Sequence, residues 1–256
     1  FVRACVPLFI IASSYLQFPL HYTAGEFLRR RAVRILIPFV LWTTVYALVW
    51  GEPVENFKNL LMNFNYASGH LWFVYMLIGV YLLMPLLSPW AEKVEKKELQ
   101  VYLGIWLFTT LIPLLRDWLS GGEFAVIYGP SGLPRQTLFP LWGEASWNEF
   151  HTLYYVSGFI GYVVTAHYIR KYVNWSVAKT FAITLPMLVA GYFITAIPFY
   201  MQIPESFPVN ESIDLAVLME QSWRFCATGV AMTAIALFLV FKKIATAGHC
   251  YTLVNH

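Results

Sequence analysis

Residues 177–200 read VAKTFAITLPMLVAGYFITAIPFY, and Lys179 is the only charged residue among them. A helix needs about 20 mostly apolar residues to cross the roughly 30 Å hydrocarbon core of a bilayer. A strand of a membrane barrel needs only about 10 residues and alternates between polar and apolar. The stretch therefore predicts a membrane-spanning helix, and its two prolines are tolerable because neighbouring helices satisfy the freed carbonyls.

Six other stretches have the same apolar character, each between clusters of Gly, Pro or charged residues. Of the 256 residues, 59% are apolar and 12% are charged, against about 25% charged in soluble domains. This composition excludes a disordered chain and argues against a soluble globular enzyme. We predict an all-α fold, a polytopic transmembrane helix bundle with about seven spans, at residues 2–20, 32–50, 70–88, 99–115, 150–169, 177–200 and 222–241.

The basic residues predict the orientation of these spans, because cytoplasmic loops are enriched in Lys and Arg. One set of alternate loops holds five basic residues: Arg3, Lys58, Arg116, Arg135 and Arg224. The other set, which we assign to the cytoplasm, holds the remaining twelve of the 17: Arg29, Arg30, Arg31, Arg34, Lys93, Lys96, Lys97, Arg170, Lys171, Lys179, Lys242 and Lys243.

The net charge of +3 is too small to indicate a nucleic-acid partner, and we expect none. The three cysteines form no CxxC pair, so the sequence predicts neither a disulfide framework nor a zinc site. We expect no metal and no tightly bound cofactor.

An arginine cluster gives the strongest local signal, in the stretch FLRRRAVRILIP at residues 27–38. Arg30 and Arg34 are four residues apart and Arg31 and Arg34 three, so in a helix they lie near one face. Guanidinium groups bind phosphate bidentately, which predicts a site for a phosphorylated cytoplasmic ligand. The competing interpretation is that the four arginines, Arg29, Arg30, Arg31 and Arg34, fix the topology and contact anionic lipid.

Histidine is the residue type here that best suits proton transfer near neutral pH. His70 opens the third predicted span on the outer side, where Trp72, Phe73 and Tyr75 suit an interfacial aromatic belt. His70 is thus either a structural interfacial residue or a candidate base. His151 and His167 are about 24 Å apart along one predicted helix, so they do not share a site, and boundary positions explain both.

Three segments together resemble the membrane-bound acyltransferase family 3, a family of bacterial O-acyltransferases that modify surface glycans. They are RACVPLFIIASSYL at residues 3–16, FLRRRAVRILIP at 27–38 and GHLWFVYMLIGVYLLMP at 69–85. The resemblance implies a bundle of about ten helices in the bacterial inner membrane. It also implies transfer of an acyl group, acetyl in most members, from cytoplasmic acyl-CoA to an acceptor hydroxyl.

The resemblance implies roles for particular residues as well. Arg29, Arg30, Arg31 and Arg34 match the family's arginine-rich motif and would hold the CoA phosphates. The family's proposed catalytic histidine lies in a helix that this chain does not contain, before Phe1. A second departure is Ser14, which stands where the family pattern has Gly.

The predicted topology agrees with a missing first helix, because Phe1 falls on the outer side. We therefore expect a fragment that lacks the first and last helices of the family and is inactive as it stands. Within it we predict one acyltransferase-like membrane domain over residues 1–244 and a tail of unassigned structure over residues 245–256.

Two functional hypotheses follow. In the first, the protein moves an acyl group from acyl-CoA to a hydroxyl of a cell-surface or exported glycan, with membrane lipid, acyl-CoA and the glycan as partners. The sugar would stack on Tyr128, Trp142 and Trp147 of an outer loop. In the second, the protein is a transporter or flippase of lipid-linked sugars, and the arginines bind the pyrophosphate of the lipid carrier or the lipid itself. Transporters of that kind contain inverted repeats, which this sequence does not show.

Overall fold

The computed structural model describes residues 2–49, 54–55, 71–119, 153–201 and 225–247. These residues form helices and short turns, with no strand among them, which confirms the predicted all-α class. Seven helices of this part of the chain are used below: α1 (Cys5–Gln17), α2 (Ala24–Val49), α3 (Trp72–Lys93), α4 (Lys96–Leu119), α5 (Ile160–Tyr172), α6 (Val177–Met201) and α7 (Thr228–Ala247).

Four helical segments within the described residues are long and apolar enough to cross a membrane, which agrees with a helical membrane bundle. Helix α1 is also apolar but has only 13 residues. The four segments are Ala24–Val49, Trp72–Lys93, Val177–Pro198 and Thr228–Thr246.

Helices α5 and α2 start furthest from the positions predicted for them. Helix α5 begins at Ile160 and not at residue 150, because a 3-10 turn over Tyr154–Val156 and a turn at Gly158 precede it. Gly158 has a φ of 80°, a left-handed conformation that glycine adopts without steric cost. Helix α2 begins at Ala24, eight residues before the predicted start, and thus includes the arginine cluster.

The described residues belong to two compact units. The first unit contains Phe1–Leu16 and Glu95–His256, and the second contains Gln17–Val94. The single domain expected over residues 1–244 stays a prediction.

Glycine and threonine side by side allow α6 and α7 of the first unit to pack closely. A Cβ atom built on Gly229 would lie 2.2 Å from Oγ1 of Thr195, and one built on Gly191 would lie 2.7 Å from Oγ1 of Thr233. Thr195 and Thr233 donate hydrogen bonds back to the carbonyls of Gly191 and Gly229, at 3.0 and 2.8 Å. Such small-residue contacts are typical of helix pairs in membranes.

Helices α4 and α5 pack around a fully buried tryptophan. The Nε1–H of Trp106 donates to the carbonyl oxygen of Gly158 at 2.9 Å, and its ring meets Tyr162 edge-on at 5.0 Å. Gly161 leaves the space that the indole fills, since a Cβ there would lie 2.0 Å from the ring.

In the second unit, aromatic contacts hold α2 against α3. Phe27 meets Tyr81 edge-on at 5.8 Å, and further along α2 the ring of Phe39 meets Tyr75 at 4.9 Å. The segment before α2 is held as well, because the backbone N–H of Leu20 donates to Oγ of Ser88 at 2.7 Å. These contacts position the start of α2, where the arginines lie.

Candidate functional site

The start of α2 is fixed by a capping residue. Thr23 has an extended backbone, and its hydroxyl accepts a hydrogen bond from the backbone N–H of Glu26 at 3.3 Å. Thr23 and Glu26 have the spacing of a capping box, and an acidic residue in the first turn suits the positive end of the helix dipole. Arg29, Arg30 and Arg31 fall in the last turn of this first segment, Ala24–Arg31, of α2.

Arg30 is engaged with its neighbours on the surface. Its Nη2 lies 2.6 Å from Oε1 of Glu26, one helical turn earlier, and its Cζ lies 4.5 Å from the ring centre of Tyr22. The side chains of both ionic partners are more than 40% exposed, so the pair adds little to stability. Arg30 therefore carries a charge that Glu26 already neutralises in part.

Arg31 is the arginine of the cluster that points into the second unit. It donates a hydrogen bond to Oε1 of Gln17. Its Cζ lies 5.4 Å from the ring centre of Phe27 and 5.3 Å from that of Tyr81. Its Nε is buried without a hydrogen-bond partner. These contacts make Arg31 part of the packing between α2 and α3.

Arg29 and Arg34 are exposed, and neither makes a hydrogen bond or ion pair with the described residues. An exposed guanidinium keeps its five N–H donors available, in a planar geometry that matches two oxygens of a phosphate. The four arginines are thus unequal: one is packed, one is partly neutralised, and two have no partner in the part of the chain that the structure describes.

A π-helical segment, Ala32–Leu36, interrupts α2 and contains Arg34. The N–H of Ile37 donates to the carbonyl of Ala32, five residues back instead of four. Pro38 favours this wide turn, because it has no N–H for the carbonyl of Arg34 and its ring crowds that carbonyl. The α-helical spacing that we assumed for Arg31 and Arg34 therefore does not apply across the segment. Such segments are frequent at functional sites.

His70, His151, Tyr128, Trp142 and Trp147 lie outside the described residues. His21 is exposed just before α2, and His167 is 5% exposed within α5. His167 lies within the core of the first unit, and its interpretation as a boundary residue stays a prediction.

The residues that contact Arg30 and Arg31 could not be found from the local sequence. Gln17, Tyr22 and Tyr81 are apart from the cluster in sequence, and only the fold brings them to it. Phe27 offered a signal, since it opens the arginine stretch and lies one turn before Arg31.

Apolar helices of spanning length and an arginine group at a helix start define a multi-pass membrane protein. A family model described as an acyltransferase domain matches residues 1–248, so the chain belongs to the acyltransferase family 3 that its segments resemble. No curated protein and no solved structure matches the chain.

The packed position of Arg31 leads to a stability prediction. We expect Arg31→Ala to lower the free energy of unfolding by about 2 kcal/mol, because it removes a charge-assisted hydrogen bond and two cation–π contacts. Arg29→Ala, the matched control, is expected to change it by less than about 0.5 kcal/mol. Thermal unfolding midpoints in a mild detergent measure the difference. Equal midpoints would show that Arg31 is not a packing residue.

Proposed function

We propose that this protein transfers an acyl group, acetyl in the first instance, from cytoplasmic acyl-CoA to a hydroxyl group of a cell-surface or exported glycan. The family supports acyl transfer as the reaction class. The observation that carries the choice of donor is that Arg29 and Arg34, in a loop assigned to the cytoplasm, are exposed and have no hydrogen-bond or ionic partner among the described residues.

Arg29 and Arg34 would hold phosphates of CoA, since CoA carries several and guanidinium is the side chain best suited to them. Arg30 would assist once a phosphate competes with Glu26 for it. Arg31 would act indirectly, by holding α2 against α3 through Phe27 and Tyr81. This division of roles refines the expectation that all four arginines contact the donor.

The chemistry requires a base and a leaving group. A base takes the proton of the acceptor hydroxyl, the oxygen attacks the thioester carbonyl, and the carbon–sulfur bond breaks to release the CoA thiolate, which is then protonated. His70 is the candidate base within this chain. The protein would act in the bacterial inner membrane, in contact with membrane lipid. Membership of an acyltransferase family favours this function over a transporter or flippase.

A binding measurement tests the donor site. The protein, expressed from its complete gene and placed in phosphatidylcholine nanodiscs, is titrated with radiolabelled acetyl-CoA. We expect the double variant Arg29→Gln/Arg34→Gln to bind about 100-fold more weakly, because each lost charge-assisted contact is worth about tenfold or more. The affinity of Arg30→Ala should fall less, since that guanidinium is already paired.

The matched control is Lys93→Gln/Lys97→Gln, which removes the same charge at exposed positions assigned to the same side of the membrane. Its affinity for acetyl-CoA should stay within about threefold of the wild-type value, the effect of surface charge alone. Equal affinities of the two double variants would mean that the arginines fix the topology and contact lipid without binding the donor. The proposed donor site would then be wrong.

A further inference from the structure

A pocket of about 260 Å³ lies in the first unit, where the connection between α5 and α6 meets the end of α7. Its polar wall contains Asn174, Thr180, Lys242, Lys243 and Thr246, and Trp175 adds an aromatic face. Pockets that enclose whole small molecules measure roughly 300–1,000 Å³. This pocket therefore suits a small group, such as a phosphate with its nearest substituent, and not an entire cofactor.

The two lysines of the pocket are half-buried, and within the described residues their hydrogen bonds go to neutral acceptors. Nζ of Lys242 donates to the carbonyls of Ile169 and Val173, at 3.3 and 2.7 Å. Nζ of Lys243 donates to the carbonyl of Trp175 at 2.8 Å. Lys242 also lies 5.4 Å from the ring centre of Tyr15. Neither ammonium contacts a carboxylate of the described residues.

The elements that build the pocket contain no acidic residue at all. Residues 160–201 and 225–247 include no Asp or Glu, whereas they hold Arg170, Lys171, Lys179, Lys242 and Lys243. A partly buried charge is costly unless a partner of opposite charge compensates for it. Two neighbouring ammonium groups also repel each other. An anion in the pocket would remove both costs.

Helix capping explains Lys242 but leaves Lys243 unexplained. The carbonyls of Ile169 and Val173 are at the end of α5, where a lysine commonly binds the last carbonyls and suits the helix dipole. Lys243 bonds to Trp175, three residues beyond the end of α5, and uses one of its three donors within the described residues. The remaining donors of Lys243 are therefore available to a ligand in the pocket.

We propose that this pocket binds a phosphate group, with Lys243 as its main ligand and Lys242 as a supporting charge. Helix α6 begins at Val177 in the pocket wall, and the positive end of its dipole adds to the attraction. The phosphate can come from the headgroup of an anionic phospholipid or from a soluble phosphorylated ligand. The site does not depend on the proposed function, since none of its residues belongs to the arginine cluster.

Chemical protection of Lys243 tests the site in the wild-type protein. An amine-reactive ester labels exposed lysines, and mass spectrometry then compares labelling of Lys243 and Lys97 in three samples. These are phosphatidylcholine nanodiscs, the same nanodiscs with inorganic phosphate, and nanodiscs in which half the lipid is phosphatidylglycerol. We expect labelling of Lys243 to fall at least about threefold in one of the last two samples, while labelling of the exposed Lys97 stays constant.

The two sources of phosphate give different results. Protection by inorganic phosphate in phosphatidylcholine identifies a soluble ligand, whereas protection only with phosphatidylglycerol identifies a lipid headgroup. Lys243→Gln should weaken binding of the protecting probe about tenfold, and Lys243→Arg should keep it because the charge is retained. Lys97→Gln is the matched control for the loss of one charge. Absence of protection by either probe, or equal binding by Lys243→Gln and Lys97→Gln, would overturn the proposal.

Discussion

Replacement of Gly229 by valine is expected to separate α6 from α7 and to lower the free energy of unfolding by about 3 kcal/mol, the upper end for overpacked sites. The first carbon of the new side chain would already lie 2.2 Å from Oγ1 of Thr195 and 2.7 Å from the carbonyl oxygen of Gly191. A side chain can rotate away, but the backbone of Gly191 cannot move without shifting α6.

Gly104→Val is the matched control, because a Cβ at Gly104 in α4 meets nothing within 4 Å. Size-exclusion chromatography of heated, detergent-solubilised protein gives an unfolding midpoint for each variant. Adding Thr195→Ala to Gly229→Val should restore only part of the stability, since the clash with the Gly191 carbonyl remains. A Gly229→Val protein as stable as the Gly104→Val protein would contradict the close packing of α6 and α7.

Truncation of Trp106 is expected to have a similarly large effect. We expect Trp106→Ala to cost about 3 kcal/mol, the low end for a large buried aromatic residue. The low end applies because apolar lipid surrounds the separated helices, so the destabilisation comes from packing more than from exposure to water. The substitution removes the indole that packs on Gly161 and Tyr162, and with it the hydrogen bond to Gly158.

Two further variants separate these contributions. Trp106→Phe keeps an aromatic ring next to Tyr162 but has no N–H donor, so it should cost about 1 kcal/mol for the hydrogen bond in addition to a smaller packing term. Trp42→Ala is the control, because Trp42 is 54% exposed on α2. The same unfolding midpoints are compared, and a destabilisation of Trp42→Ala as large as that of Trp106→Ala would show that the indole of Trp106 is not a packing centre.

The sequence predicted helices best where apolar character and flanking residues agreed. The span at residues 177–200 corresponds to α6, Val177–Met201, because Ser176 precedes a long and mostly apolar run and its hydroxyl accepts a hydrogen bond from the N–H of Lys179. The span at residues 150–169 was less accurate. Tyr154, Tyr155 and Val156 are apolar enough to suggest membrane, and hydropathy does not distinguish a 3-10 turn from an α-helix.

The candidate site was predictable in its residues but not in their roles. Four arginines in one stretch indicate a phosphate site or a topology signal, and the spacing makes them look equivalent. Arg31 differs from Arg29 only because Gln17 and Tyr81, distant in sequence, come to lie next to it. Such contacts depend on how α2 packs on α3, and no local pattern contains that information.

The π-helical segment of α2 also acts as a phase correction between the two halves of the helix. Phe27 and Phe39 are twelve residues apart, which in an uninterrupted α-helix would place them about 120° apart around the axis. A single-turn π segment absorbs one residue, so the offset falls to about 20°. Phe27 then lies on nearly the same side of the helix as Phe39, whose side also contains the buried Thr43, and both rings reach α3.

The loss of one residue from Ala32–Leu36 would leave this phase intact, because the shortened stretch would close as an ordinary α-helical turn with Phe27 and Phe39 eleven residues apart. Conversion of the segment to regular α-helix at unchanged chain length would instead rotate everything after it by about 100° relative to the arginine turn. The membrane half of α2 would then present a different face to α3 while the arginines kept theirs. The π geometry of this five-residue segment therefore sets how the arginine turn and the spanning part of the helix are aligned.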